Sequence, residues 1–414
     1  MDRRRDAELA AGLAARASYS RLVAYLAART RDVAAAEDAL SDAFRAALET
    51  WPGDGVPHRP EAWLLATARN RLVDVARHDT VRDSAAATLR LVAEEAEEQA
   101  TSAAAFPDER LKLLFICAHP AIDVGARTPL MLQTVLGLDA ARIASAFLVA
   151  PATMGQRLVR AKAKIRDARI AFQVPERTEL SERLDAVLDA IYAAFGTGWE
   201  DAAGADPRRR GLAQEAIWLA RLAMRLVPEE PEARGLLALM LYCEARRPAR
   251  RTAQGDYVPL SDQDVRLWSR PMIAEAERVL AEAATMKPTG RFQLEAAIQS
   301  AHTMRATTGR ANWGSIALLY ESLAATAPTV GALIGRAASL AEDRGPDAGM
   351  AALEAIGRDL VATYQPYWAV RADLLARLGR VAEAHAAYTT AIGLAEDRAV
   401  RAFLQNRRSM LDAG

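Results

Sequence analysis

Cysteine is nearly absent: Cys117 and Cys243 are the two in 414 residues, far apart and each inside an apolar helical pattern. That excludes a disulfide framework and a cysteine-based metal site. Histidine is scarce as well, and His119, His302 and His385 are scattered, with no nucleophile and base at a recognisable spacing. No glycine-rich phosphate loop follows a strand pattern. These absences argue against catalysis and imply no cofactor. No run of about 18 apolar residues occurs, and the opening MDRRRDAELA lacks the apolar core of a signal peptide. The expectation is a cytoplasmic protein that does not touch a membrane. Net charge is zero, so no field of the whole chain draws in nucleic acid, and only local clustering of charge is informative.

What is present is helix. Alanine and leucine abound, apolar residues recur at helical spacing, and no convincing alternating strand pattern appears, so the fold class is all-α. Helices are predicted near 18–29, 33–50 and 60–78. The segment WPGDGVPHRP at 51–60 reads as a loop that a helix does not cross. Residues 79–106 are rich in Ala, Thr and Glu and read as a flexible linker. A compact helical unit follows at 108–172, and Val174-Pro175 marks the next boundary. The domains expected are therefore 1–80, a linker at 81–107, 108–173, and 174–414. In the last of these, helices alternate with turns at Pro228, Pro288, Gly309, Pro328, Gly345 and Gly379. Trp368, Ala372, Leu375, Gly379, Ala384, Tyr388 and Ala391 match tetratricopeptide (TPR) spacing, where small residues let paired helices approach and Tyr388 fills the gap. The region is TPR-like.

Three segments carry candidate chemistry. On the helix at 60–78, Leu65, Ala68, Leu72 and Val75 form the expected buried stripe. The opposite face presents Trp63, Thr67, Asn70, Arg71, Asp74 and His78, with Arg77 beside it. An aromatic, an amide and cations on one face suit the phosphates and unstacked bases of a melted strand; a solvated polar face has the same look. Upstream, Leu40, Phe44 and Leu48 share one face of a helix, while Asp38, Asp42, Arg45 and Glu49 share another. An acidic stripe bordered by apolar residues suits a basic partner helix, and also an ordinary surface.

The third segment has a short helix at 138–147 with Ala144 at a close-packing position, a turn through Val149-Ala150, and a second helix opening at Pro151. Met154, Leu158, Ala161 and Ile165 make the apolar stripe of that second helix. Residues 151–170 hold Arg157, Arg160, Lys162, Lys164, Arg166 and Arg169 against Asp167 alone. That is the pattern of a helix-turn-helix whose second helix enters a major groove, with Thr153, Gln156 and Arg157 near its N-terminal end. The cations would supply salt-dependent phosphate contacts.

In order and spacing, these segments resemble the extracytoplasmic-function (ECF) sigma factors. AEDALSDAF at 36–44 resembles their polymerase-binding helix, which implies docking to core RNA polymerase through Asp38, Ser41, Asp42 and Phe44. PEAWLLATARNRLVDVAR at 60–77 resembles the helix that melts and reads the minus-ten promoter element; this implies DNA-binding roles for Trp63, Asn70, Arg71, Asp74, Arg77 and His78. LDAARIASAFLVAPATMGQRLVRAKAKIR at 138–166 resembles the helix-turn-helix for the minus-thirty-five element, with Thr153, Gln156, Arg157, Arg160, Lys162 and Lys164 on DNA. RLKLLFICAHPAID at 110–123, GLLALML at 235–241 and LSDQDVRLW at 260–268 resemble the ECF subgroup with a C-terminal TPR-like domain.

The chain departs from the family at several places. Leu148 stands where the turn glycine is usual, Gly155 where Lys is frequent, Ser41-Asp42 for Gln-Glu, and His78 for Arg. The partners implied are core RNA polymerase, promoter DNA, and an intramolecular or protein partner of the C-terminal domain. The rival reading is a helix-turn-helix activator fused to a TPR scaffold, which would bind DNA without polymerase.

Overall fold

The computed structural model describes residues 3–78, 109–147, 149–200 and 211–412. Among them the regular structure is helical, and the backbone pairing of strand type is an isolated antiparallel bridge between Arg251 and Tyr257. No helix among the described residues is long and apolar enough to cross a membrane. The chain divides into two compact units, Met1–Thr197 and Gly198–Gly414. The linker expected at 79–106 and the turn residue Leu148 lie outside the described residues.

The first unit opens with α1 (Arg3–Thr30), α2 (Val33–Asp54) and α3 (Pro60–His78). Asp32 starts α2 by accepting a hydrogen bond from the Ala35 N–H at 3.0 Å, which satisfies one of the free donors of the first turn. The break expected at Trp51 comes a turn later. The helix runs through Pro52 to Asp54 and stops at Gly55, whose φ of 92° suits a residue without Cβ. Buried Trp51 holds that last turn against the bundle. Tyr25, Leu22, Leu26, Leu40 and Leu64 fill the space between the three helices. A side chain of this size stabilises by roughly 1.5–3 kcal/mol when fully buried. One expected core position is instead on the surface: Val75, toward the end of α3, is 52% exposed. Leu48, on the apolar border of the acidic stripe of α2, is 47% exposed.

The same unit continues with α4 (Arg110–Cys117), α5 (Val124–Thr134), α6 (Ala140–Ala146), α7 (Pro151–Asp167) and α8 (Arg177–Glu200). Pro151 does open α7, one residue after the cap Ala150. The expected stripe of α7 (Met154, Leu158, Ala161, Ile165) is buried, and Ala144 of α6 is buried with it. Cys117 is buried within 3.2 Å of the Thr134 hydroxyl, and burial pushes its thiol up to about 12, so it is an inert core residue. From α8, Arg183 donates to the Phe115 carbonyl, so this helix packs with the first unit as far as Thr197.

The second unit contains α9 (Leu212–Leu226), α10 (Pro231–Ala245), α11 (Arg270–Ala284), α12 (Arg291–Thr303), α13 (Arg305–Thr308), α14 (Trp313–Thr326), α15 (Val330–Arg344), α16 (Pro346–Glu354), α17 (Arg358–Val361), α18 (Gln365–Arg377), α19 (Val381–Leu394) and α20 (Arg398–Ser409). The turns expected at Pro228, Pro288, Gly309, Pro328, Gly345 and Gly379 all fall between helices. Helix α10 is apolar on nearly every side from Gly235 onward and is buried accordingly, from Gly235 through Tyr242 with Glu244 and Ala245. Its Gly235 lies so close to α12 that a Cβ would stand 2.6 Å from the Gln293 nitrogen. Glu232 of α10 caps α12, accepting from the Phe292 and Gln293 N–H groups at 2.7 and 3.1 Å. Of the seven positions with repeat spacing, Ala372, Leu375, Ala384, Tyr388 and Ala391 are buried between α18 and α19, and Trp368 packs against that core.

The LSDQDVRLW segment forms two short 3-10 turns, Leu260–Asp262 and Val265–Leu267, ahead of buried Trp268. Arg305 holds it in place by donating to the carbonyls of Ser261 and Gln263 while its guanidinium lies 5.4 Å from the Trp268 ring. Arg266 holds the Asp264 carboxyl down at about 2 through a paired hydrogen bond on the surface.

Candidate nucleic-acid and polymerase interface

The polar face of α3 is built on an aromatic footing. Trp63 is half-buried, and its ring meets the ring of buried Trp51 edge-on, with centroids 5.5 Å apart and planes 68° apart. This fixes the indole at the start of the face. Asn70, Arg71 and Asp74 are exposed farther along. Arg77 and His78 belong to the last turn of α3, but their side chains lie outside the described residues.

Arg71 is held by α2. Its Nε donates to Asp42 at 2.9 Å, and Arg45 donates to the other oxygen of the same carboxylate at 2.8 Å. Asp42, expected at the polymerase face, thus also orients a cation of the DNA face. Beside it, Asp38 and Ser41 are exposed and Phe44 is half-buried. The Ser41 hydroxyl donates to the Glu37 carbonyl at 2.8 Å. Acidic and apolar groups therefore stand together on one side of α2, as docking a basic helix requires.

On α7, Thr153, Gln156, Arg157, Arg160 and Lys164 are exposed along one flank. Arg157, Arg160 and Lys164 line a groove of about 540 Å³ whose other wall is the turn at 121–126 leading into α5. A cationic groove beside a helix start suits a phosphate backbone. Lys162 is not on this flank. It faces α2 and forms an ion pair with Glu37, each side chain about nine-tenths buried. In this conformation it is engaged within the protein and is not presented to DNA. The helical wheel gives the reason: from Met154, Lys162 lies roughly 80° around the helix and Arg160 roughly 240°.

Four participants were not anticipated from sequence: Trp51, Glu37, Asp32 and Tyr19. A signal existed for Glu37, because it falls among Val33, Ala36, Leu40 and Ala43 on the buried side of α2. A carboxylate in such a stripe calls for a cation from elsewhere in the fold.

Comparison with known proteins now bears on this geometry. Residues 15–81 match the family model "Sigma-70 region 2", which spans most of α1 together with α2 and α3. Residues 15–81 therefore belong to the sigma-70 region 2 family, which supports a sigma-70 family factor. Its role is sigma-factor-like promoter recognition, and region 2 implies interaction with core RNA polymerase and promoter DNA. The sigma-70 region 2 family comprises transcription initiation factors. Residues 183–284 match a family of unknown function (DUF6596). The uncharacterized protein R00370 of Rhizobium meliloti (strain 1021) is 37% identical over 388 residues, covering 92% of this chain and 91% of its own length. The two belong to one family. No solved structure matches the chain significantly.

Proposed function

We propose that this sigma-70 family protein is of the ECF type, with α3 melting and reading a minus-ten element and α6–α7 acting as a helix-turn-helix on a minus-thirty-five element. The observation that carries this reading is the α3 face inside the region 2 match: Trp63 footed on Trp51, then Asn70 and an Arg71 aimed by Asp42. An indole held edge-on is ready to stack an unpaired base without losing further freedom, and Asn70 and Arg71 supply donors for base edges and phosphate. Asp38, Ser41, Asp42 and Phe44 dock the polymerase. Thr153, Gln156, Arg157, Arg160 and Lys164 contact the upstream duplex, with Asp74, Arg77 and His78 completing the downstream set. The protein makes and breaks no bond; it supplies binding energy and register.

The TPR-like C-terminal region is the regulatory part. Paired helices such as α18 and α19 build surfaces suited to peptides or helices. The ordered LSDQDVRLW segment offers exposed Arg266 and Leu267 for contact with a protein partner. The test of the sigma reading is a gel shift with promoter fragments, run with and without core polymerase. A shift that needs core supports it. An equally tight, sequence-specific shift without core favours an activator instead.

A further inference from the structure

Between α10 and α11 the second unit carries a short hairpin that lies on helices far from it in sequence. Arg251 and Tyr257 pair in the antiparallel bridge, and the Val258 N–H donates to the Arg250 carbonyl at 2.9 Å. Gly255, with φ of 91°, closes the turn between them. Bridge partners send their side chains to one side of a hairpin. The Arg251 guanidinium accordingly lies 5.9 Å from the centroid of the Tyr257 ring. The two reach α20 together. Arg251 forms an ion pair with Asp397, which caps α20 by accepting from the Ala399 and Val400 N–H groups. Tyr257 meets Phe403 edge-on, with centroids 5.4 Å apart. Arg251 and Asp397 are 146 residues apart.

A loop that belongs to the core is buried along its length, and this one is not. Thr252 through Asp256 are exposed, and Tyr257 through Leu260 are half-buried. The segment is fastened at separate points: Asp397, Phe403, and Arg305 of α13, which donates to the carbonyls of Ser261 and Gln263. Its fit is incomplete where it is deepest. The Arg251 side chain is 10% exposed, yet its Nε and Nη1 are buried with no hydrogen-bond partner among the described residues. Gln263 Oε1 is in the same position. Every buried polar atom left unsatisfied weakens such a seat.

We propose that Asp397 and Phe403 of α20, with Arg305, form a protein-docking surface that the hairpin occupies as a tethered stand-in. The partner is a segment of another protein that displays an arginine beside an aromatic ring. Asp397 selects the guanidinium and Phe403 the ring, while Arg305 reads main-chain carbonyls and so requires a non-helical backbone. A partner that also satisfies the donors Arg251 leaves unpaired displaces the hairpin. The contact lies wholly within the second unit and does not rest on the promoter reading.

The tether sets the magnitude. A short connection gives the hairpin an effective concentration of about 1 mM at its seat. A free peptide of the same sequence therefore competes with the intact chain only near millimolar concentration. Once the hairpin is disabled, the peptide binds at its own, lower dissociation constant.

The probe is a fluorescent peptide of residues 250–264, titrated by anisotropy against the full chain. Binding should be at least about tenfold tighter to Arg251→Ala with Tyr257→Ala, whose own hairpin no longer competes, than to the unaltered chain. Adding Asp397→Asn keeps an oxygen to cap α20 but removes the charge, and should weaken the peptide again by about tenfold. Equal affinity for the unaltered and disabled chains, no binding to the disabled chain, or indifference to Asp397→Asn overturns the docking surface. Dimers of the disabled chain that the peptide fails to dissociate, measured by light scattering, assign the surface to a second copy and overturn the outside partner. Hydrogen exchange of the unaltered chain decides the matter even if the disabled chain does not fold. The Val258 N–H should exchange roughly a hundredfold faster than the amides of α10. Exchange as slow as that of α10 makes the hairpin part of the core and overturns the proposal. None of these readouts involves polymerase or promoter, so a failure of the sigma reading leaves them standing.

Discussion

In the first unit, helices meet through charged and aromatic side chains, both between neighbours (Arg71 with Asp42, Trp63 against Trp51) and across 125 residues of sequence (Lys162 with Glu37). In the second, helices nest through small residues, with Gly235 of α10 against α12 and Ala372, Ala384 and Ala391 between α18 and α19. The first kind of contact is specific yet exchangeable, because a charge can find water or another partner. The second has no exposed substitute for the packing it loses on opening. The comparison suggests a unit made to rearrange and a unit made to keep its shape.

The largest expected effect separates the units by stability. Trp51→Ala should cost about 3–5 kcal/mol in the first unit, since it removes a fully buried indole and the footing of Trp63. Differential calorimetry should show one transition lowered and the other unmoved; a matching fall in both would break the division into two units. Gly235→Leu is the converse experiment. It forces a side chain into the α12 backbone and should lower only the second transition, by about 3 kcal/mol.

A third expectation uses pH. Burial, then Arg246 and Arg305, hold the His302 imidazole down at about 4, well below its ordinary value. The unfolded chain therefore takes up a proton between about pH 6.5 and pH 4 while the folded chain does not. Stability of the second unit should be fully present above about pH 6.5 and fall by on the order of 2 kcal/mol as pH drops to about 4. His302→Gln should flatten that slope in denaturant titrations across this window. An unchanged slope would assign the loss to other groups. The smallest effect belongs to the exposed Asp42–Arg71 pair. Asp42→Asn should shift stability by no more than about 0.5 kcal/mol, so a defect in promoter opening would report polymerase docking or the orientation of Arg71, and not folding; binding to core, measured separately, divides the two.

Much of this was legible in the sequence wherever local rules governed. Pro60–His78, the opening of α7 at Pro151 and its apolar stripe all follow from periodicity and from proline at the first helical turn. Failures cluster where the tertiary fold overrules a local rule. Trp51 carries α2 past the expected break because its burial outweighs the one backbone hydrogen bond that Pro52 removes from the last turn. Val75 reads as core but is 52% exposed among the described residues. The resemblance puts Lys162 with the DNA-facing cations, whereas its angle on the helix and the acid at Glu37 draw it inward. That pairing spans two segments that are distant in the chain, and no periodicity reports it.

The central claim is that the α3 face works on promoter DNA under core polymerase. Run-off transcription with purified core, comparing the unaltered chain with Trp63→Ala and with Asn70→Ala, tests it most directly. The expected result is promoter-dependent product from the unaltered chain, with each variant at least tenfold weaker while it remains folded at the assay temperature. Equal output from all three, or no promoter-dependent product from the unaltered chain on any genomic fragment, would contradict it.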